Sequence, residues 1–313
     1  MEKILLIGTG PMAVDYASVL SAFSKVPTVI GRGETSAAVF EAKTGIKPML
    51  GGVEKYLDSN SCEGDLAIIA TGTEALMPTL LQLVRSGVKK ILIEKPAAIS
   101  IEELLENSEK LMPFSDSVFI AYNRRFYASV IETIKLIEED GGLRSMSFEF
   151  TEWAHRIEPL QKAPGVKENW FFANSTHVVD LAFFIAGKPK EWSCFSGSGA
   201  ITWHAKTNFA GAGITEKDVL FSYLSNWESA GRWSLELLTA NRRIYLKPLE
   251  EILIQQKGSV NIEKHTFDDA MDKDFKPGLF KQVEAFFSAG NSSMISLKEH
   301  MAQSKDVFQK ILN

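Results

Sequence analysis

Only two cysteines, Cys62 and Cys194, stand in 313 residues, far apart and outside any Cys-x-x-Cys or Cys/His ligand spacing. That scarcity excludes a disulfide framework and a zinc site, so no metal is expected, and it suits a reducing, cytoplasmic location. Long basic runs are missing as well: Lys plus Arg number 34 against 39 Asp plus Glu, a formal net charge of −5. Without such a run the chain has nothing to track a phosphate backbone, and nucleic acid is not an expected partner. The opening apolar run, residues 4–7, falls far short of a signal core or of the roughly 20 residues of a membrane span, so no membrane association is expected. No internal repeat or biased segment occurs, and 45% hydrophobic with 23% charged residues excludes an intrinsically disordered chain.

Tryptophan is absent from the first 121 residues, which hold 6 of the 32 aromatics, while the remaining 192 residues hold 26. This shift marks a boundary and predicts two domains, 1–121 and 122–313. In the first, short apolar runs alternate with helical patterns: 4–7 then 12–23, 28–30 then 36–44, 66–70 then 74–85, 91–93 then 101–111, and finally 118–121. Such alternation predicts an α/β fold on a parallel, doubly wound sheet. A linking helix over 128–140 is followed by the Gly141-Gly142 break. Thr-, Trp-, Phe- and Tyr-rich runs at 145–153, 191–195, 219–227, 232–239, 242–246 and 251–256 then predict a large, mostly antiparallel open sheet, and 279–288 with 297–312 have helical spacing. The second domain is therefore expected to be α+β.

Gly8-Thr9-Gly10-Pro11-Met12-Ala13 follows the first strand and opens the first helix. In a Gly-x-Gly-x-x-Ala turn the first glycine allows the tight turn and the second lets backbone approach a pyrophosphate. The alanine permits close packing, and the helix N-terminus faces the anion. A dinucleotide is the expected ligand. At the tip of strand two, Val29-Ile30-Gly31-Arg32-Gly33-Glu34-Thr35-Ser36 carries no acid where NAD-binding turns place one for the ribose 2′-hydroxyl. Arg32, with the Thr35 and Ser36 hydroxyls nearby, suits a 2′-phosphate, which favours NADP(H) over NAD(H). Glu34 pulls the other way, since a small loop rotation brings its carboxylate to the ribose.

Ile91-Leu92-Ile93-Glu94-Lys95-Pro96 is a buried strand ending in a charged pair fixed by proline, at the sheet edge where ligands of parallel sheets bind. With Tyr122-Asn123-Arg124-Arg125-Phe126, Gly141-Gly142-Leu143-Arg144-Ser145 and His177-Val178-Val179-Asp180-Leu181, these pieces give the chain its likeness over most of its length. It resembles the glucose-fructose oxidoreductase, inositol dehydrogenase and MocA-type family of NAD(P)-dependent sugar dehydrogenases. The resemblance implies a Rossmann domain followed by a sheet domain that mediates homodimer or homotetramer contacts, with the active site between the domains. It also implies that Lys95 contacts the reacting hydroxyl and the nicotinamide ribose and that His177 exchanges the substrate proton.

Local sequence supports the second assignment. Asn174-Ser175-Thr176 are cap-forming types and residues 178–186 form an apolar helix stopped by Gly187, so His177 falls in the first turn. There the helix dipole favours the neutral imidazole, the form able to accept a proton, and Asp180 shares its face. The expected cofactor-binding set is Gly8, Thr9, Gly10, Pro11, Met12, Arg32, Thr71, Glu94 and Lys95. The expected substrate-binding set is Asn123, Arg124, Trp170, Asn174, His177 and Asp180. The pattern departs from the family where an acid usually precedes the histidine by four positions: Ala173 stands there, without the usual glycine run, and Leu76 replaces a histidine found in many relatives. Asn174 is adjacent and can hold a substrate hydroxyl without transferring a proton. Trp170 and Phe171 suit either a sugar face or the core. His155 and Arg156 suit either a substrate-lining pair or an exposed loop. His204, His265 and His300 have no partner pattern.

The leading expectation is an oxidoreductase exchanging hydride between nicotinamide and a carbinol or keto carbon of a sugar, sugar nucleotide or polyol. Two alternatives stand beside it: a regulatory protein that binds NAD(P) without turnover, and an enzyme whose tightly held NAD(H) cycles internally to support elimination or glycoside cleavage.

Overall fold

Ile4–Ile7 forms β1 with all four side chains buried, the pattern of a strand covered on both faces. The computed structural model describes residues 3–62, 64–288 and 293–313. From β1 the chain runs through α1 (Pro11–Ala22), β2 (Thr28–Gly31), α2 (Glu34–Thr44), β3 (Met49–Leu50), α3 (Gly52–Leu57), β4 (Leu66–Ile69), α4 (Thr73–Arg85), β5 (Lys90–Glu94), α5 (Ile101–Glu106), α6 (Ser108–Leu111) and β6 (Val118–Ala121). These strands lie in the order β3-β2-β1-β4-β5-β6, every neighbouring pair parallel. This is the expected doubly wound Rossmann-like sheet.

The second unit begins at Asn123. It contains α7 (Ala128–Glu139), β7 (Ser145–Glu149), α8 (Ala154–Ile157), α9 (Thr176–Ala186), β8 (Pro189–Gly197), β9 (Asn208–Thr215), β10 (Leu220–Asn226), β11 (Ser234–Leu238), β12 (Arg242–Leu246), β13 (Leu253–Gln256) and β14 (Ile262–Lys264), followed by α10 (Ala270–Asp274), whose last residue groups with the first unit; residues 305–313 also belong to the second unit. The sheet order is β14-β13-β12-β11-β7-β10-β9-β8, antiparallel except for the parallel β7–β10 pair. α9 is buried almost all round and lies on this sheet, Phe183 meeting Phe148 and Phe221 edge-on at 5.7 and 5.1 Å. Phe148, Phe150, Phe171, Phe209 and Tyr223 continue the same aromatic core, which accounts for the uneven aromatic content of the two halves.

Strand β9 lies between the strand-like runs 191–195 and 219–227, in a stretch where the sequence pattern predicts no strand. Asn208 to Thr215 is rich in glycine and alanine because bulky neighbours occupy the space: a Cβ on Gly211 would stand 2.5 Å from the Tyr223 ring, and one on Gly213 2.2 Å from the Trp192 Cβ.

The expected single second domain over 122–313 differs from the observed division, because residues Asp274–Ser304 belong with the first unit. There α11 (Leu279–Phe287) packs against α1, with Phe280 stacked on Phe23 at 4.7 Å. β15 (Ile295–Ser296) adds antiparallel to the open edge of β6, and α12 (Leu297–Gln303) starts on a Ser296/Glu299 capping box. Short α13 (Gln309–Leu312) returns to β8, where the Lys310 ammonium lies over the Trp192 ring.

Phe286 on α11 is fully buried beneath the Lys90 ammonium. Phe286→Ala is expected to destabilise the protein by about 3–5 kcal/mol, measured by urea unfolding, although residue 286 lies far along the chain from the first sheet's strands.

Candidate active site

Gly8 leaves β1 with φ of +120°, and a Cβ there would lie 2.3 Å from the Ala70 carbonyl oxygen, inside van der Waals contact with the backbone following β4. Only glycine fits. Gly10 N-caps α1 with Pro11 in its first turn and no acidic residue nearby, and nothing lies within 4 Å of where its Cβ would be. The α1 N-terminus therefore presents free backbone N–H groups to a cavity of about 570 Å³ lined by Gly8, Thr9, Gly10, Pro11, Met12, Arg32, Ser36 and Thr71 among others. The Thr71 hydroxyl in this lining is buried and has no hydrogen-bond partner among the described residues. A glycine cradle, a helix N-terminus and an orphaned donor fit a dinucleotide.

Around the mouth, Thr9 Oγ1 donates to Ser36 Oγ at 2.8 Å and Ser36 Oγ donates to the Gly33 carbonyl, tying the glycine turn to the β2–α2 turn. The Thr9 methyl fills the space a side chain at Gly31 would need. Glu34 is absent from the lining of the main cavity; it lines an adjoining hollow with Thr35, Ser36 and Lys43.

β5 delivers Glu94 and Lys95 to the same sheet edge. Glu94 accepts a 2.7 Å hydrogen bond from the hydroxyl of fully buried Tyr16 on α1, whose phenol burial and the Glu94 charge push well above its usual pKa. Behind Lys95, Nε2 of fully buried His300 donates to the Pro96 carbonyl at 3.0 Å, and its ring tilts against Tyr122. Glu103 accepts from the Ile99 N–H, and Ser100 caps α5. The segment carrying Lys95 is thus held by α12 and α5. Leu76 is buried on α4 as part of the core.

In the second unit, residues Phe171–Ser175 form one π-helical turn leading into α9, an irregularity frequent at functional sites. His177 lies in the first turn of α9, buried, its ring 6.0 Å from that of Trp233. Asp180 on the next turn is gripped by both arms of Arg125, Nε to Oδ2 at 2.8 Å and Nη2 to Oδ1 at 2.6 Å. Asp180 therefore anchors the turn after β6, and its carboxylate is engaged by Arg125. Arg124 and Arg232 lie against the Trp233 ring, each guanidinium 4.5 Å from its centroid. Burial, with Arg232 adding to it, pulls the Arg124 pKa below its usual value, opposed by Tyr127, Glu250 and Glu152; its Nε has no partner among the described residues.

The other expected substrate residues have partners of their own within the second unit. Asn123, buried, accepts from the Arg124 Nη1 at 3.4 Å. Trp170 packs edge-on against Trp203 at 6.3 Å, and Phe171 lies in the core. Asn174 donates to both oxygens of Glu152, at 3.0 and 3.1 Å. Glu152 itself, 1% exposed, gave no signal in the sequence, where it lies in a predicted strand. His155 stacks on exposed Trp153, His265 faces Glu132, and His204 accepts from the Phe171 N–H, burial pushing its pKa down.

Residues 2–113 match the model of the oxidoreductase family with an NAD-binding Rossmann fold. The family so matched over this segment is the glucose-fructose oxidoreductase, inositol dehydrogenase and MocA-type family. Solved structures share the fold over nearly the whole chain. Levoglucosan dehydrogenase in complex with NADH and L-sorbose is 17% identical, covers 99% of this chain and 96% of its own, and superposes with a TM-score of 0.76. An oxidoreductase of Thermotoga maritima is 16% identical, with coverage of 99% and 95% and a TM-score of 0.75. UDP-N-acetylglucosamine 3-dehydrogenase of Acidithiobacillus ferrooxidans is 14% identical, with coverage of 99% and 97% and a TM-score of 0.72. No curated protein sequence matches the chain.

The Arg125–Asp180 pair, 9% and 1% exposed, generates a stability prediction. Asp180→Asn leaves a guanidinium buried without its charge partner and is expected to cost about 3–5 kcal/mol in urea unfolding, whereas Arg125→Met with Asp180→Leu recovers most of the loss.

Proposed function

We propose that the protein is an NADP(H)-preferring dehydrogenase or reductase acting on a CH–OH or keto carbon of a sugar, sugar nucleotide or polyol. The observation that carries this reading is the glycine turn opening onto the cavity at the same sheet edge where β5 presents Lys95. Relatives of this fold named for levoglucosan and for UDP-N-acetylglucosamine supply the substrate class.

When bound, the nicotinamide supplies hydride exchange with the reacting carbon. The α1 N-terminus and the Gly10 backbone hold the pyrophosphate, and Thr71 donates its hydroxyl to the dinucleotide. Arg32, lining the cavity with Ser36 while Glu34 does not, binds a 2′-phosphate. Lys95 sets an ammonium against the substrate oxygen and stabilises charge developing there. His177, at the α9 N-terminus, takes the hydroxyl proton during oxidation and returns it during reduction. Arg124, whose buried Nε has no partner among the described residues, donates to substrate oxygens.

A second reading, an NAD(P)-binding regulatory protein without turnover, draws on Ala173 in place of the usual acid. We also propose a homo-oligomer formed through the second unit's sheet. On β10 the inward residues Phe221, Tyr223 and Ser225 are buried, while Leu220 and Leu224 are 60% and 64% exposed, as is Phe195 on β8 at 74%.

Two measurements test these assignments. Fluorescence titration is expected to give tighter NADPH than NADH binding, and Arg32→Ser to weaken NADPH about tenfold, some 1.4 kcal/mol, with little change for NADH; equal loss for both cofactors contradicts the 2′-phosphate role. Screening keto sugars and polyols by nicotinamide absorbance is expected to find turnover that Lys95→Ala lowers at least about a hundredfold, near 2.7 kcal/mol of transition-state stabilisation. Tight NADPH binding without turnover on a wide panel supports the regulatory reading instead.

A further inference from the structure

Arg124 and Arg125 are neighbours in the turn after β6 and both are largely buried, but only one of them meets an acid. Arg125 is gripped by Asp180 through two short bonds. Arg124 forms no ion pair among the described residues. Its Nη1 donates to Asn123 Oδ1 at a long 3.4 Å, and its Nε is shut off from solvent with no partner among those residues. The guanidinium lies instead over two rings, 4.5 Å from the Trp233 centroid and 5.9 Å from that of Tyr127. A buried charge without a partner is destabilising.

Trp233 carries a second cation. The Arg232 guanidinium also lies 4.5 Å from its centroid, and 4.8 Å from that of Trp153. The Trp153 indole donates to the Gly231 carbonyl at 2.7 Å, which ties its ring to the backbone just before Arg232. Tyr127, Arg124, Trp233, Arg232 and Trp153 thus make one ladder in which rings alternate with cations. Two cations held against one ring repel each other, and that repulsion adds to burial in lowering the Arg124 pKa. Trp233 is 6% exposed, and its indole N–H is buried without a partner among the described residues. Guanidinium and indole groups donate and do not accept, so every open position on the ladder calls for an acceptor. The carboxylates facing it are Glu152, which takes Ser175 and Asn174 as well as Arg232 at 3.4 Å, and exposed Glu250 beside Tyr127 and Arg124.

We propose that Arg124 and Arg232, with the Trp233 indole between them in the ladder, form a subsite for an anionic group of the substrate, a carboxylate or a phosphate. This rests on the oxidoreductase reading and narrows its substrate class to sugar acids, sugar phosphates and their nucleotide conjugates. The oxygens of such a group accept from planar guanidinium forks and from the indole N–H, and their charge relieves the repulsion between the two cations. Arg232 is 41% exposed, which leaves the ladder open to a ligand from its side. The Trp233 ring also meets that of His177 at 6.0 Å, so the charged group is held next to the carbon at which His177 exchanges a proton.

The test is calorimetric titration of glucuronate, glucose 6-phosphate and uncharged glucose into wild type, Arg124→Met and Arg232→Met. Ionic strength is fixed, and saturating NADPH is present so that the cavity at the glycine turn is not open to the probes. At least one of the two anions is expected to bind wild type about tenfold or more tighter than glucose, and which one does so separates carboxylate from phosphate. Each substitution is expected to abolish that preference. Equal binding of glucose and both anions, no binding of any probe, or a preference that survives either substitution in a folded protein overturns the proposal. If Arg124→Met does not fold, the preference in Arg232→Met decides alone. An anion preference that both substitutions abolish, in a protein that binds no nicotinamide cofactor or turns over none of the probes, keeps the subsite and counts against the dehydrogenase reading instead.

Discussion

The close approach between the turn after β1 and the end of β4 is the constraint on which the rest of the first unit depends. At Gly8 the backbone adopts a conformation open to glycine and passes within 2.3 Å, measured from a Cβ position, of the Ala70 carbonyl. That contact brings Gly10 and the α1 N-terminus over the sheet edge and leaves Thr71 facing the cavity. Because β5 lies beside β4 in the same parallel sheet, the same edge receives Lys95. The positive end of α1 and the Lys95 ammonium are local positive features in a chain of net charge −5.

The second unit uses buried charge to fix one helix. Arg125 holds Asp180 with two short bonds, and Glu152 holds the π-turn in front of α9 with Ser175 and Asn174. Aromatic rings fill the remaining sides: Phe183 against the sheet and Trp233 against His177. A helix bound at its start and along its flank has little freedom to turn, so the backbone that carries His177 is held in place.

Much of this was legible in the sequence because it depends on local chemistry. The alternation of apolar runs and helical patterns in residues 1–121 identifies the parallel sheet. The glycine turn, Glu94-Lys95-Pro96 and His177 stand out as short motifs. What escaped depends on partners distant in sequence. β9 reads as a loop because its glycines answer to Tyr223 and Trp192, residues on neighbouring strands. The return of residues Asp274–Ser304 to the first unit follows from the open edge of β6 and the apolar face of α11, and with it comes His300 behind Pro96. Glu152, which holds the turn before α9 through Asn174, lies in a run that reads as ordinary strand. Asp180 shares the His177 face, as its spacing implies, but nothing in one sequence reveals that Arg125 occupies it.

The central claim is that the turn at Gly8 is a dinucleotide cradle whose geometry tolerates no side chain. Calorimetric titration of NADPH into wild type and into Gly8→Val, with folding of both checked by circular dichroism, tests it most directly. The account predicts one cofactor bound per chain in wild type and no measurable binding in the folded variant. Equal affinity in the two proteins, or no binding of either nicotinamide cofactor to wild type, would contradict it.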